Sequence, residues 1–557
     1  LHGPRVVWIR TLEIRLKLGR ITIIGVILRS NKAMFSPGLH RNIFLFGVFG
    51  LAFGMMIGTV PTSVPILILL GNWLLEGSFR EKWNKIKKNR IFWILSSVLF
   101  IHAIGLLYTS DLGAGWDDVR TKMPLLLLPL VFFSTNSLSQ KELHRTLFFF
   151  LLGTFVNLSW CGIYTFLLHH NETVRSASRF MSHIRLGLYL NMAIVVSVYF
   201  IQFYRSLTMR ILLGLLLFYF LFFMYALGLA SGMANFCILL LLFAFYLSYK
   251  KGTKWLLLSA TTVVLIFFFI SSYITRVYKE QFTIKTDRLN EKILVNTEKD
   301  NYYHFEGPDQ IENGYRVNIN IQLMEVYAEW KRRCPDDTFS YNPKFNLERF
   351  QVLIRYLSSK GLTKDSVGIA MLKEEDLTNI KKGITNYAMN DWSYFHKRIY
   401  ELVNEYEEYR MNKGISGHSL TMRLVFWKTA IYCIEKNILT GVGTGDVQEE
   451  LNKAYNETHA PLSEEWHKRP HNQFLTVTLA LGIFGLIVFL ISVFAPVFQL
   501  RKEIHLLYLP FFVMLVISFL MEDTLESQAG LTFYAFFNTI FIVYAYLNKI
   551  DQKVMQS

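Results

Sequence analysis

With 557 residues, 52% of them hydrophobic and 15% aromatic, the chain is too apolar for an ordinary soluble protein, yet it carries long charged stretches. That balance points to a polytopic membrane protein with some soluble mass. The net charge of +16 lies largely beside apolar runs, the ordinary signature of cytoplasmic loops, so it is topological and excludes nucleic acid as the partner. Cys161, Cys237, Cys334 and Cys433 are scattered without ligand spacing and imply neither a disulfide framework nor a metal site.

In chain order, residues 1–41 form a basic segment assigned to the cytoplasm, with Met34 as a candidate start. Apolar runs long enough for membrane spans follow at 42–58, 60–77, 91–108, 119–134, 144–168, 184–204, 211–229, 232–249 and 255–275. After a long gap come 473–499, 505–521 and 530–547, about twelve in all. The run at 119–134 is short and holds Pro124 and Pro129, so it reads as a broken or partly buried helix. Lysine and arginine in the loops 79–90, 205–210, 250–254 and 501–502 and in the tail 549–557 all fall on one side, the cytoplasm. The expected fold is therefore an all-α polytopic membrane protein. A transmembrane bundle over 42–275 leads into a large, mostly helical periplasmic loop, 276–470, and the last three spans occupy 471–548.

The outer loop is charged and tyrosine-rich, with helical periodicity at 347–357 and 391–409 and turns at Glu306-Gly307-Pro308 and Pro335-Asp336-Asp337. It is too long for a structureless connection and reads as a small helical subdomain, either a solvated lid or a surface for a glycan or partner. Over 423–436, Leu424, Phe426, Trp427, Ala430, Ile431 and Ile434 mark an amphipathic helix that would lie on the membrane surface. Gly441, Gly443 and Gly445 follow at alternate positions; without a preceding strand they suit a turn beneath a lipid headgroup better than a nucleotide loop.

Arg469-Pro470-His471-Asn472-Gln473 then opens the tenth span. Pro470 cannot continue a helix, so His471 sits at the helix mouth, where the positive end of the dipole favours an uncharged ring able to accept a proton. Gly482 and Gly485 lie roughly 16 Å deeper at 1.5 Å per residue and suggest a flat face for a neighbouring helix. Other ionisable groups gather at the same face: His183 and Arg185, Arg120 and Lys122, Arg423, and the trio Glu522, Asp523 and Glu526. The basic groups either snorkel to headgroups or bind phosphate, and the acidic trio is available to pair with them. Guanidinium groups and one histidine on one membrane face suit a pyrophosphate-bearing lipid.

These residues resemble the bacterial O-antigen ligase/polymerase superfamily. Its motif, histidine and Asn, Ser or Gln, nine residues, then G-x-x-G and a Gly, Thr or Tyr, is met by His471-Asn472 and Gly482-Ile483-Phe484-Gly485; Leu486 departs from the last position. Arg423, Trp427 and Gly441-Val442-Gly443-Thr444-Gly445 match an upstream pattern, and Ser182-His183-Ile184-Arg185 resembles a region holding another functional arginine. Where the family often shows Ser-Arg, this chain has Ser231-Gly232. The resemblance implies a metal-independent, inverting glycosyltransferase without cofactor, with its active face at the periplasmic side of the bacterial inner membrane. Its donor would be a glycan on undecaprenyl pyrophosphate, and its acceptor lipid A–core or another lipid-linked glycan. His471 would be the base, and Arg185, Arg423, Arg120 and Lys122 would hold the pyrophosphate. His183, Asn472, the glycines and Glu526 would support them. A polysaccharide polymerase is the alternative within the class. A transporter fits less well, because no internal repeat is evident and the charges avoid the bilayer midplane.

Overall fold

The computed structural model describes residues 34–135, 138–165, 180–284, 294–304, 310–337, 341–342, 347–411, 417, 419–501 and 505–556. Residues 1–33 of the basic segment and the turn expected at 306–308 lie outside these. The chain is an all-α polytopic membrane protein. Among the described residues eight helices are long and apolar enough to cross a bilayer: Arg90–Tyr108, Gln140–Ile163, His183–Phe203, Leu207–Ala226, Ala230–Lys251, Thr253–Phe282, Gln473–Leu500 and Gln528–Leu547.

The other four apolar runs form helices of 11 to 18 residues: Pro37–Gly54, Thr59–Leu75, Pro124–Ser134 and Tyr508–Met521. At about 1.5 Å per residue, 11 residues cover roughly half of a 30 Å hydrocarbon layer, so Pro124–Ser134 does not cross alone. Thr59–Leu75 and Phe79–Lys87 form a pair bent by 113° that counts as a ninth span if taken together. The bend runs through Gly77 and Ser78, both at positive φ, and the loop expected at 79–90 begins as a helix. Pro37–Gly54 starts inside the segment read as 1–41, where the Ser36 hydroxyl accepts the Leu39 amide.

The chain divides into two compact units: Leu1–Ala244 with Phe426–Thr458 and Lys468–Ser557, and Phe245–Val425 with His459–His467. In the first, the last helix is the axis of the core. Phe533, Phe537 and Phe541 are buried and packed with Phe511, and Phe537 meets Phe150 edge-on at 4.9 Å. Small residues let backbones close up where nothing else fits: a Cβ on Gly187 would lie 2.9 Å from Gly232 Cα. Asn191 Nδ2 donates to the Gly232 carbonyl at 2.9 Å across the same contact. This explains the glycine where the related pattern has arginine, because a side chain at 232 would force the two helices apart.

The second unit holds the helix Thr253–Phe282 and a separate core. Val326, Trp330, Leu353, Leu357, Ile369 and Ile380 are buried among the helices Leu323–Arg333, Arg349–Ser359, Ser366–Ala370 and Glu374–Lys381. The C-terminal turns of Thr253–Phe282 pack Val277 and Phe282 on Ile399, Tyr400 and Val403 of Tyr394–Arg410. Arg355, buried in this unit, meets Glu312 at 2.8 Å, and Asn386 also donates to Glu312, so the ion pair is fully hydrogen-bonded. Arg349–Ser359 and Tyr394–Arg410 lie where the periodicity places them, and the turn at 335–337 is present.

Candidate functional site

Pro470 has no N–H to donate, and the span Gln473–Leu500 begins only after it, with Asn472 as N-cap accepting from the amides of Phe474 and Leu475 at 3.0 and 3.2 Å. His471 lies between them at φ +50°, a left-handed conformation that costs a non-glycine residue energy unless its surroundings impose it. The surroundings are the loop after Tyr508–Met521. Asp523 Oδ2 accepts the His471 amide at 2.9 Å, and Oδ1 accepts the Asn472 amide at 3.1 Å and the Thr476 hydroxyl at 2.5 Å. The Asn472 amide group donates to the Leu520 carbonyl. Burial pushes the Asp523 carboxyl above the usual carboxylate range, while the Thr476 hydroxyl and His471 pull the other way.

The imidazole is oriented by a second carboxylate: Nδ1 lies 3.1 Å from Glu522 Oε2. With that carboxylate ionised it can only accept, which puts the ring proton on Nδ1 and leaves Nε2 as the nitrogen able to take one. The His471 side chain is 35% exposed and that of Glu522 only 9%, which leaves the ring accessible and its partner shielded. Phe426 packs beside the ring, centroids 5.7 Å apart. A base oriented by a third group is the arrangement that activates a hydroxyl. Glu522→Gln should therefore lower activity by about 10²-fold, the low end of what a positioned base supplies, at an unchanged melting temperature. Full activity in that variant would show that the carboxylate does not orient the ring.

Glu526 ties down both flanks of the histidine. Its Oε2 accepts Arg469 Nη1 at 2.7 Å and Lys122 Nζ at 3.0 Å, and its Oε1 accepts Gln473 Nε2 at 3.0 Å. Gln473 Oε1 in turn accepts the Leu525 amide at 2.7 Å. Lys122 is fully buried and shares its ammonium with Asp118 at 2.7 Å. Burial alone would raise Glu526, but Lys122 and Arg469 hold it well below the usual carboxylate range. Because its folded value is depressed, the stability it contributes is present above the ordinary carboxylate range and is lost as pH falls through the depressed value.

The glycines serve a different purpose from the one the sequence suggests. Gly482, at φ +64° and ψ −166°, breaks the span. The freed groups are met by the segment 438–443: Val442 and Gly443 amides donate to Leu479 and Ala480 carbonyls, and the Ile483 amide donates to Ile438, all at 2.8–2.9 Å. A Cβ on Gly482 would sit 2.1 Å from Leu439 O, and one on Gly441 2.4 Å from the Ala480 carbonyl carbon. So Gly482 faces a loop instead of a helix, and amides of the glycine turn are spent on the span instead of on a headgroup. A Cβ on Gly485 would meet Leu481 of the preceding turn.

The turn is anchored on its other side as well. The Gly445 amide donates to the Thr109 hydroxyl, Thr444 Oγ1 donates to the His102 carbonyl, and Asp446 accepts the Ser110 and Asp111 amides. Burial works against the charge on Asp446, yet those two amides hold its carboxyl below the usual range.

The remaining predicted residues are placed as follows. His183 opens the helix His183–Phe203, and Arg185 Nη1 donates to the N-cap Ser182 at 3.1 Å. One turn on, the Tyr189 hydroxyl donates to the Ala529 carbonyl, which joins this helix to the chain just beyond Glu526. Arg120 is largely exposed and paired with Asp117 at 3.1 Å. Arg423 is half-buried one turn before Phe426 on the helix Ser419–Lys436 and belongs to the second unit. That helix buries Phe426, Ala430 and Cys433 while exposing Leu424 and Ile431. Among the described residues no group of three or more histidine, cysteine, aspartate or glutamate side chains is arranged to hold a metal ion.

Glu522 and Asp523 are the site residues that sequence reasoning left without a role. Their signal was the acidic cluster facing a span whose first turns carry Asn472, Gln473 and Thr476. No curated protein matches the chain. Residues 382–490 match the family model described as O-Antigen ligase. His471, Gly482, Gly485, Arg423, Trp427 and the glycine turn all fall inside that stretch, so this part of the chain is similar to the O-antigen ligase family.

Proposed function

We propose that the protein is an inner-membrane glycosyltransferase that moves a glycan from undecaprenyl pyrophosphate to a sugar hydroxyl of lipid A–core, at the periplasmic face. The observation that carries this reading is the His471–Glu522 pair at the mouth of a span, with the ring accessible and its Nδ1 committed to the carboxylate. The family match supports a reaction on a lipid-linked glycan.

In the proposed step the acceptor oxygen attacks the anomeric carbon while its proton passes to His471 Nε2. The anomeric C–O bond breaks, and the electron pair leaves with the polyprenyl pyrophosphate, giving inversion. Arg185 and Arg423 are the proposed pyrophosphate contacts, because a guanidinium fork matches the phosphate oxygens in geometry and charge. Arg120, with an exposed side chain, is assigned a supporting contact at the rim. Lys122 is left out of this set because its ammonium is buried between Asp118 and Glu526.

The choice between ligase and polymerase is made in cells. Deleting the protein should leave long glycan chains on the carrier lipid and bare lipid A–core. Single repeats on the carrier would instead assign it as a polymerase joining lipid-linked units.

A further inference from the structure

The geometry points to Lys122 as a positioning residue that sets the backbone of His471 through Glu526, resting on the glycosyl-transfer reading above. The strained φ of +50° at His471 must be imposed from both sides. On the near side Arg469 and on the far side Gln473 are held by the two oxygens of one carboxylate, Glu526, at 2.7 and 3.0 Å. That carboxylate is tied to a different helix, Leu112–Lys122, through Lys122 Nζ at 3.0 Å and through a hydrogen bond with Asp118, which Lys122 itself meets at 2.7 Å one turn earlier.

Two cations and two carboxyl groups thus form one connected cluster, buried at Lys122 and Glu526. The strap at His471 closes on a fixed point of the bundle instead of floating with its own loop. A fully buried ammonium with two carboxylate partners has no geometry for a substrate phosphate, which separates this role from phosphate binding. Freed of Lys122, Glu526 can still hold Arg469 and Gln473, but it loses its cationic tie to the helix Leu112–Lys122 and is left facing the carboxyl group of Asp118. The imidazole drifts relative to the acceptor, and a displacement near 1 Å costs about 10²-fold in rate.

The test compares wild type with Lys122→Met in the full-length protein in lipid nanodiscs. It measures kcat, the donor KM and the rate at which diethyl pyrocarbonate modifies His471, quantified by peptide mass spectrometry against exposed His304. The expected result is a kcat lower by about 10²-fold with the donor KM within about threefold, and a changed His471 modification rate. A rise in donor KM with His471 reactivity unchanged would make Lys122 a phosphate ligand and overturn the proposal. So would wild-type values throughout. If Lys122→Met does not fold, the charge-balanced Asp118→Asn/Lys122→Met protein takes its place with the same expected and overturning results. If wild type itself transfers nothing, the proposed function fails, and the His471 modification rate alone still decides the positioning role.

Discussion

His471→Ala is expected to lower transfer by about 10²–10⁴-fold, the range a positioned general base supplies, while the protein still inserts and melts as wild type does. The stability half of that expectation follows from how the histidine is held. Its main-chain amide, not its ring, makes the bond to Asp523, and the neighbouring contacts of Asn472, Gln473 and Thr476 do not involve the imidazole. Both histidine and alanine are strained at φ +50°, so beyond the base the substitution removes the ring's contacts with Glu522 and Phe426 and leaves the main-chain strap in place. Transfer would be measured on purified protein, and folding by thermal melting in the same detergent. A variant that melts normally and retains near wild-type activity would remove His471 from the chemistry.

The second large effect is structural. Gly482→Val should destabilise the protein by about 3 kcal/mol or more, combining the strain of a β-branched residue at positive φ with a clash into packed backbone. A Cβ there would be 2.1 Å from Leu439 O, which is main chain already engaged in the 438–443 segment and unable to swing aside. Gly441→Ala strikes the same joint from the other side. Gly214→Ala is the control: a Cβ at that helical glycine meets nothing within 4 Å, so its effect should stay within about 0.5 kcal/mol. Denaturant or thermal midpoints compare the three. Equal midpoints would mean that the kink at Gly482 is not required by the fold.

Much of this architecture was legible in the sequence because it is local. Apolar runs locate the helices, Pro470 stops one segment and starts another, and the glycine pattern announces tight backbone. What one stretch does to another was not legible. Gly482 could be assigned to close packing, but only the fold reveals that its partner is the 438–443 segment, 39 to 44 residues earlier, in place of a second helix. Glu522 is 51 residues from His471, and no spacing rule links them. Lys122 illustrates the opposite error. A lysine at a membrane face invites a phosphate, whereas burial between two carboxylates gives it a structural partner set. Hydropathy alone does not distinguish a helix that crosses the bilayer from a short one buried inside the bundle; at Pro124–Ser134 it is the shortness of the run and its two prolines that mark the difference.

The most direct test gives purified wild-type protein an undecaprenyl-pyrophosphate-linked glycan together with lipid A–core, with and without chelator, and follows the glycan and its anomeric configuration. The account predicts that glycan appears on the core sugar with inverted configuration, at the same rate in chelator, and that none appears with His471→Ala. Donor left intact by wild type in the presence of every acceptor offered, or transfer that proceeds equally well without His471, would contradict it.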